Sequence, residues 1–194
     1  MTYMPCGNFF PILGIDPGTN TAGYAIVIAD IFTLEVHHAE AWTVNASQLI
    51  TKNDWPVQLY GERFGKIEHQ KLAFRDALYK YNPIIVACES PYYNPHRPEA
   101  YAALLEFLHG IRDTLYLWDR QMVLNLVEPA PAKKNIGVKG NSGDKELIKQ
   151  AIANCPDYCM VDTTNLDEHS IDALLIAKYK LDELRRKHGT GTGS

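Results

Sequence analysis

The chain has 194 residues, of which 46% are hydrophobic and 22% are charged, and its formal net charge is −4. This length predicts one domain with a core of its own, and the composition excludes disordered and collagen-like proteins. No apolar run approaches the length of a membrane span, and residues 1–10 lack the basic and apolar stretches of a secretory leader. We therefore expect a cytoplasmic protein with a single domain over residues 1–188 and a flexible tail or cloning scar at 189–194.

The acidic net charge argues against a protein that coats nucleic acid, but it is compatible with a nuclease, because metal-binding carboxylates add negative charge. The segment 131–150 is locally basic, in contrast to the whole chain, because it contains five lysines and two acidic residues. The cysteines form no C-x-x-C pair and have no zinc-finger spacing, so we expect reduced and mostly buried thiols. They are Cys6, Cys88, Cys155 and Cys159.

Three strands are predicted first along the chain. The apolar runs at 11–16 and 24–29, with a weaker one at 34–43, indicate an antiparallel meander. The tripeptide 54–56, Asp-Trp-Pro, is typical of a helix start, and apolar residues at helical spacing predict a helix over 59–81.

The second half alternates strands with helices, and a loop rich in lysine and glycine follows its last strand. The first of these strands is a continuous apolar run, which is typical of a strand covered on both faces. This order of elements predicts an α/β fold with a mixed five-stranded sheet flanked by helices. The predicted elements are strands 84–88 and 122–127 and helices 99–118, 144–154 and 167–187.

Two acidic residues stand at the ends of predicted strands. Asp16 precedes Pro17-Gly18, and this tripeptide alone is more often turn chemistry than a site. Glu89 directly follows five apolar residues. Because the helix over 59–81 is a crossover, the strand before Glu89 can lie parallel to the first strand, with the two carboxylates side by side. Adjacent carboxylates repel each other unless they share a cation, so we expect a metal there.

The last predicted helix carries a third group of polar residues. His169 and Asp172 are three residues apart and share one helix face. Asp167 is predicted to cap the helix, and Glu168 complements its dipole. For this pair alone, an exposed polar stripe is an equally good interpretation.

Taken together, four side chains form a predicted ligand set: Asp16, Glu89, His169 and Asp172. Their oxygen atoms suit Mg²⁺ or Mn²⁺ rather than zinc, and imidazole is compatible with Mn²⁺. Two such ions about 4 Å apart can activate water and stabilise the leaving oxygen in phosphodiester cleavage.

Three sequence motifs carry a family resemblance. They are Leu13-Gly-Ile-Asp-Pro-Gly-Thr with Gly23-Tyr24, then Glu89, and finally Asp172-Ala-Leu-Leu-Ile-Ala. In this order and spacing, over residues 11–179, the sequence resembles the RuvC family of Holliday junction resolvases. The resemblance implies an RNase H-like fold and a homodimeric endonuclease that resolves four-way, branched DNA with two Mg²⁺ or Mn²⁺ ions. It also implies that Asp16, Glu89 and Asp172 bind metal, while His169 stands where many members carry aspartate and others histidine.

The same resemblance implies DNA contacts. Tyr92 stands where the family has an aromatic residue that stacks on junction bases, and Lys133 or Lys134, with Lys145, resembles lysines that touch the scissile phosphate and the backbone. Independently of the family, the lysine-rich loop, which includes Lys139, is predicted to be a mobile cationic clamp for phosphates. Tyrosine at 92 and 93, beside the predicted metal site, offers a stacking platform for an unpaired base, although packing against the nearby prolines is an equally good interpretation.

Other functions remain open from the sequence. The opening motif also resembles the phosphate loop of actin-like ATPases and sugar kinases, but those enzymes need two cores. A related nuclease could act on other branched DNA, RNA–DNA hybrids or ribosomal RNA precursors. A structure-specific DNA-binding protein without catalysis is the third alternative.

Overall fold

A computed structural model describes residues 7–158 and 161–189 of the chain. Its centre is a five-stranded sheet, which consists of β1 (Phe9–Asp16), β2 (Thr21–Asp30), β3 (Val36–Asn45), β4 (Ile85–Glu89) and β5 (Leu124–Val127). The order across the sheet is β3-β2-β1-β4-β5. The β1–β2 and β2–β3 pairs are antiparallel, and the β1–β4 and β4–β5 pairs are parallel, so the predicted mixed sheet is confirmed.

Helices cover both faces of this sheet. Leu13 shares a buried cluster with Phe74 of α3 (Glu62–Tyr81) and Phe107 of α4 (Pro98–Trp118). Ile12, on the opposite face, shares one with Leu174 of α7 (Glu168–Lys187). A central strand covered on both sides has a continuous apolar sequence, as β1 does. The helices are α1 (Ala46–Leu49), α2 (Trp55–Tyr60), α3 (Glu62–Tyr81), α4 (Pro98–Trp118), α5 (Pro129–Asn135), α6 (Lys145–Ala153) and α7 (Glu168–Lys187), with two short 3₁₀ turns at Pro156–Tyr158 and Thr163–Asn165.

Strand register brings the ends of β1 and β4 together. Ile15 pairs with Cys88, and the next residues, Asp16 and Glu89, therefore end these parallel strands at the same edge of the sheet. β5 ends there as well, because Glu89 pairs with Val127. We call this the carboxylate edge.

Some predicted boundaries are wrong. The helix expected over 59–81 is two helices, because the chain breaks at Gly61, whose φ of 88° is unfavourable for other residues. Residues 129–135, expected in a loop, form α5, since proline is well tolerated in the first helical turn. Consequently Lys133 and Lys134 lie on a helix rather than in the predicted loop.

Of the cysteines, Cys88 is buried and Cys155 is partly buried, both as free thiols, and Cys6 and Cys159 lie outside the described residues. The predicted tail falls almost entirely at 190–194, which is also outside them. Within residues 7–158 and 161–189, no helix is long and apolar enough to cross a membrane.

Candidate active site

Three carboxylates meet at the carboxylate edge: Asp16 from β1, Glu89 from β4 and Asp172 from α7. Burial raises the pKa of Glu89 to about 8, and the charges of Asp16 and Asp172 add to this effect. Burial likewise raises the pKa of Asp16, with a further contribution from Asp172. Each group therefore lies within electrostatic reach of the others, in surroundings that disfavour uncompensated negative charge.

Two glycines allow α7 to reach this edge. A Cβ atom at Gly23 would lie 1.9 Å from the backbone oxygen of His169, and one at Gly14 would lie 2.3 Å from that of Ala173. The first half of α7 thus packs with its backbone directly against β1 and β2. Glycine inside a strand often marks such a close approach.

The start of α7 is also tied down by its cap. As predicted, Asp167 is the N-cap residue, and its side chain accepts a hydrogen bond of 2.9 Å from the Ser170 amide. Thr43 of β3 donates to the same carboxylate at 2.5 Å. The cap therefore anchors the helix to the sheet as well as satisfying its first turn.

His169 contacts the carboxylate of β1. Its Nδ1 lies 2.7 Å from Oδ2 of Asp16. This hydrogen bond is the main cause that raises the pKa of His169, and it also counteracts the effect of burial on Asp16. The structure thus brings together the two residues that the sequence placed 153 positions apart.

Lys145 makes the corresponding contact with Asp172. Its Nζ donates to Oδ2 of Asp172 at 2.5 Å and lies 3.7 Å from Glu168. Burial lowers the pKa of Lys145, but the hydrogen bond and charge of Asp172 outweigh it, so the pKa is raised overall. The other oxygen of Asp172, Oδ1, is buried and has no hydrogen-bond partner among the described residues. Asp172 is therefore not part of an exposed polar stripe, which was the alternative interpretation.

The donor set fits a divalent cation, although the side chains are not arranged around one. Within the described part of the chain, no three His, Cys, Asp or Glu side chains form a group that could hold a metal ion. The reason is visible in the contacts: His169 engages Asp16, and Lys145 engages Asp172. A bound cation would nevertheless give the buried Oδ1 of Asp172 a partner. It would also stabilise the charged form of Glu89, whose pKa is raised without it.

The five lysines of the segment 131–150 differ in their contacts and in their exposure. Lys133, at the end of α5, donates to the backbone oxygen of Ser142 at 2.9 Å, and its charge opposes the rise in the pKa of Glu89. Lys149 donates to two backbone oxygens before α7. Lys134 and Lys139 are exposed. Three of the five lysines, counting Lys145, are thus held by contacts within the protein.

A side-chain amide connects α5 to α7. Asn135 donates to Oδ2 of Asp182 at 2.5 Å and accepts from Arg186 at 2.8 Å. Lys133 lies two residues before this connection, so its helix is fixed to the helix that carries Asp172. Neither this connection nor the helix itself was expected from the sequence.

The tyrosines follow β4 at the same edge. Tyr92 is 76% exposed and Tyr93 is 54% exposed, the latter with its ring 5.2 Å from that of Tyr101 at 80°. Such exposure of Tyr92 favours a free ring over packing against the prolines. Its role as a stacking platform stays a prediction.

Comparison with known proteins identifies the fold. No protein-family profile and no curated protein matches the sequence. Among solved structures, Thermus thermophilus RuvC matches with a TM-score of 0.61 and 16% identity, covering 93% of this chain and 98% of that one. The yeast mitochondrial Holliday junction resolvase Ydc2 matches with a TM-score of 0.56 and 15% identity, covering 92% and 83%. The fowlpox virus resolvase, solved with Holliday junction DNA, gives 0.50 and 15%, covering 90% and 99%. The chain has the RNase H-like fold of these resolvases, as predicted.

Proposed function

We propose that this protein is a divalent-metal-dependent endonuclease that resolves four-way DNA junctions. The observation that carries the proposal is the meeting of Asp16, Glu89 and Asp172 at one edge of the sheet, beside Lys133 and Lys145. The support from known proteins is the fold shared with the yeast mitochondrial Holliday junction resolvase Ydc2 and with T. thermophilus RuvC, which was also solved in complex with a Holliday junction substrate.

In the proposed mechanism, Asp16, Glu89, Asp172 and His169 would hold two Mg²⁺ or Mn²⁺ ions. When bound, these ions would activate the attacking water and stabilise the leaving oxygen. The protein's own groups position the substrate. Lys133 and Lys145 would contact phosphates near the cut, and phosphate contacts fix the register of the DNA without reading its sequence.

Two further groups extend the proposed binding surface. The exposed ring of Tyr92, three residues after Glu89, would stack on an unpaired base at the branch point. Lys134 and Lys139 would add contacts to the backbone of the arms. We further propose a cytoplasmic homodimer acting in DNA recombination and repair, because paired cuts in a two-fold junction suit an isologous pair of sites.

The proposal is tested by incubating the protein with end-labelled four-way junction, linear duplex, splayed-arm DNA and RNA–DNA hybrid, with Mg²⁺ and with chelator. We expect paired nicks in the junction alone, and only with Mg²⁺. Asp16→Asn is the matched control, since it should bind the junction but not cut it. Cleavage of the hybrid in preference to the junction would replace the proposed substrate, and binding without cleavage of any substrate would indicate a non-catalytic DNA-binding protein.

A further inference from the structure

Lys145 and Asp172 form an unequal pair. The Lys145 side chain is 47% exposed, whereas the Asp172 side chain is 10% exposed. Lys145 is the first residue of α6, whose cap Asp144 accepts from the Leu147 amide at 3.1 Å, and Ile148 of the same helix is buried. The helix is therefore anchored, while the lysine side chain itself has room to change rotamer. Such a movement requires no change in the fold and is fast.

Asp172 is only half satisfied by this partner. Its Oδ2 accepts from the Lys145 ammonium at 2.5 Å, and its buried Oδ1 accepts from no described residue. A buried carboxylate oxygen without a partner costs free energy, and a single ammonium compensates it incompletely. A divalent cation placed against the carboxylate would compensate more charge, but it would repel an ammonium left at hydrogen-bond distance from the same group.

We propose that Lys145 is the resident counter-ion of Asp172 and competes with the divalent cation for that carboxylate. Metal binding displaces the ammonium, and the freed side chain becomes available to a DNA phosphate. Metal loading and phosphate binding are then coupled through one residue, and each favours the other by the same factor. This inference rests on the proposed function for the identity of the anion that receives Lys145, but the competition itself concerns the DNA-free protein.

The test measures Mn²⁺ binding to the full chain without DNA, from the decrease of the free-ion signal in electron paramagnetic resonance. Lys145→Met should bind Mn²⁺ roughly tenfold more tightly than the unaltered chain, which corresponds to about 1.4 kcal/mol. Two variants are matched controls. Lys145→Arg keeps the competing charge, and Lys139→Met removes an exposed lysine of the same segment. Both should stay within about twofold of the unaltered chain. Lys145→Arg retains the positive charge beside Asp172, and the exposed, screened charge of Lys139 contributes little.

A thermal-unfolding series with increasing Mn²⁺ gives a second readout. The metal should raise the melting temperature of Lys145→Met more than that of the unaltered chain, because tighter binding to the folded state stabilises it more. The proposal is overturned if Lys145→Met binds Mn²⁺ no more tightly than the unaltered chain, or if Lys139→Met gains as much. Failure of the proposed function would look different: the unaltered chain would bind Mn²⁺ and leave every junction uncut, with the difference between variants intact.

Discussion

Gly23 connects the fold to the proposed chemistry, and Gly23→Ala tests that connection. The new Cβ would lie 1.9 Å from the backbone oxygen of His169, whereas real Cβ contacts essentially never fall below 3.0 Å. The start of α7 must therefore move away from β2 by about 1.1 Å, the difference between these two distances. The atom that blocks the methyl group belongs to the backbone, so a side-chain rotation cannot relieve the clash.

That shift acts on the contact between His169 and Asp16, which is 2.7 Å long. A misplacement of about 1 Å can cost roughly 10²-fold in rate, and we expect a decrease of this order in junction cleavage. Overpacking should also destabilise the fold by about 1–3 kcal/mol. Because the hydrogen bond to Asp16 is the main cause that raises the pKa of His169, this pKa should fall towards its ordinary value.

The assays are single-turnover cleavage of a labelled junction, thermal unfolding, and titration of His169 by NMR. Gly143→Ala is the matched control, since a Cβ there meets nothing within 4 Å. If Gly23→Ala cut the junction at the rate of the unaltered chain with an unchanged His169 pKa, the reasoning from helix position to site geometry would be refuted.

Three other predictions follow from the site. His169→Asp should keep measurable activity and shift metal preference towards Mg²⁺, because carboxylate is a harder ligand than imidazole; a folded but inactive variant with either ion would contradict this. Neutralising Lys133, Lys134 and Lys145 together should reduce the slope of log K for junction binding against log salt concentration by about 0.9 for each phosphate that the variant no longer neutralises. The preferred cut site should stay unchanged, because phosphate contacts do not read the sequence; a changed site would indicate base reading. Finally, burial raises the pKa of Glu89 from 4.5 to about 8. In the presence of chelator and between these two pH values, the folded state therefore holds a proton on Glu89 that the unfolded state has released. Its stabilising effect is present below the ordinary pKa of 4.5 and is lost as the pH rises towards 8, so the melting temperature should fall over this window; Glu89→Gln should flatten the fall.

The ends of the strands could be predicted because they depend on local signals. Apolar runs ending in a turn or an acidic residue located Asp16 and Glu89, and the crossover rule placed β1 beside β4. The face of α7 was harder, since the spacing of His169 and Asp172 fits both a site and an exposed stripe. Only tertiary packing, through Gly14 and Gly23, decides which one forms.

Residues 129–145 show why the sequence did not predict the remaining contacts around the candidate site. The lysines and glycines that follow β5 indicated a loop, yet Pro129 and Pro131 in a first turn are compatible with the short helix that forms. Nothing local signals that Asn135 reaches Asp182, since 47 residues separate them. The pairing of Lys145 with Asp172 is likewise a contact between distant segments, which spacing in one sequence cannot reveal.

The connection through Asn135 has a consequence for how the proposed substrate is chosen. A lysine on a free loop can follow the phosphates of almost any DNA, and it then distinguishes little. Lys133 instead stands on a helix bonded to α7, so its distance from the carboxylate edge is set by the protein rather than by the ligand. A cation at a fixed distance from the carboxylate edge can contact only DNA whose phosphates lie at a matching distance from the cut. For the proposed substrate, discrimination between branched and linear DNA would then come from the spacing of phosphates around the branch point, without any contact to a base.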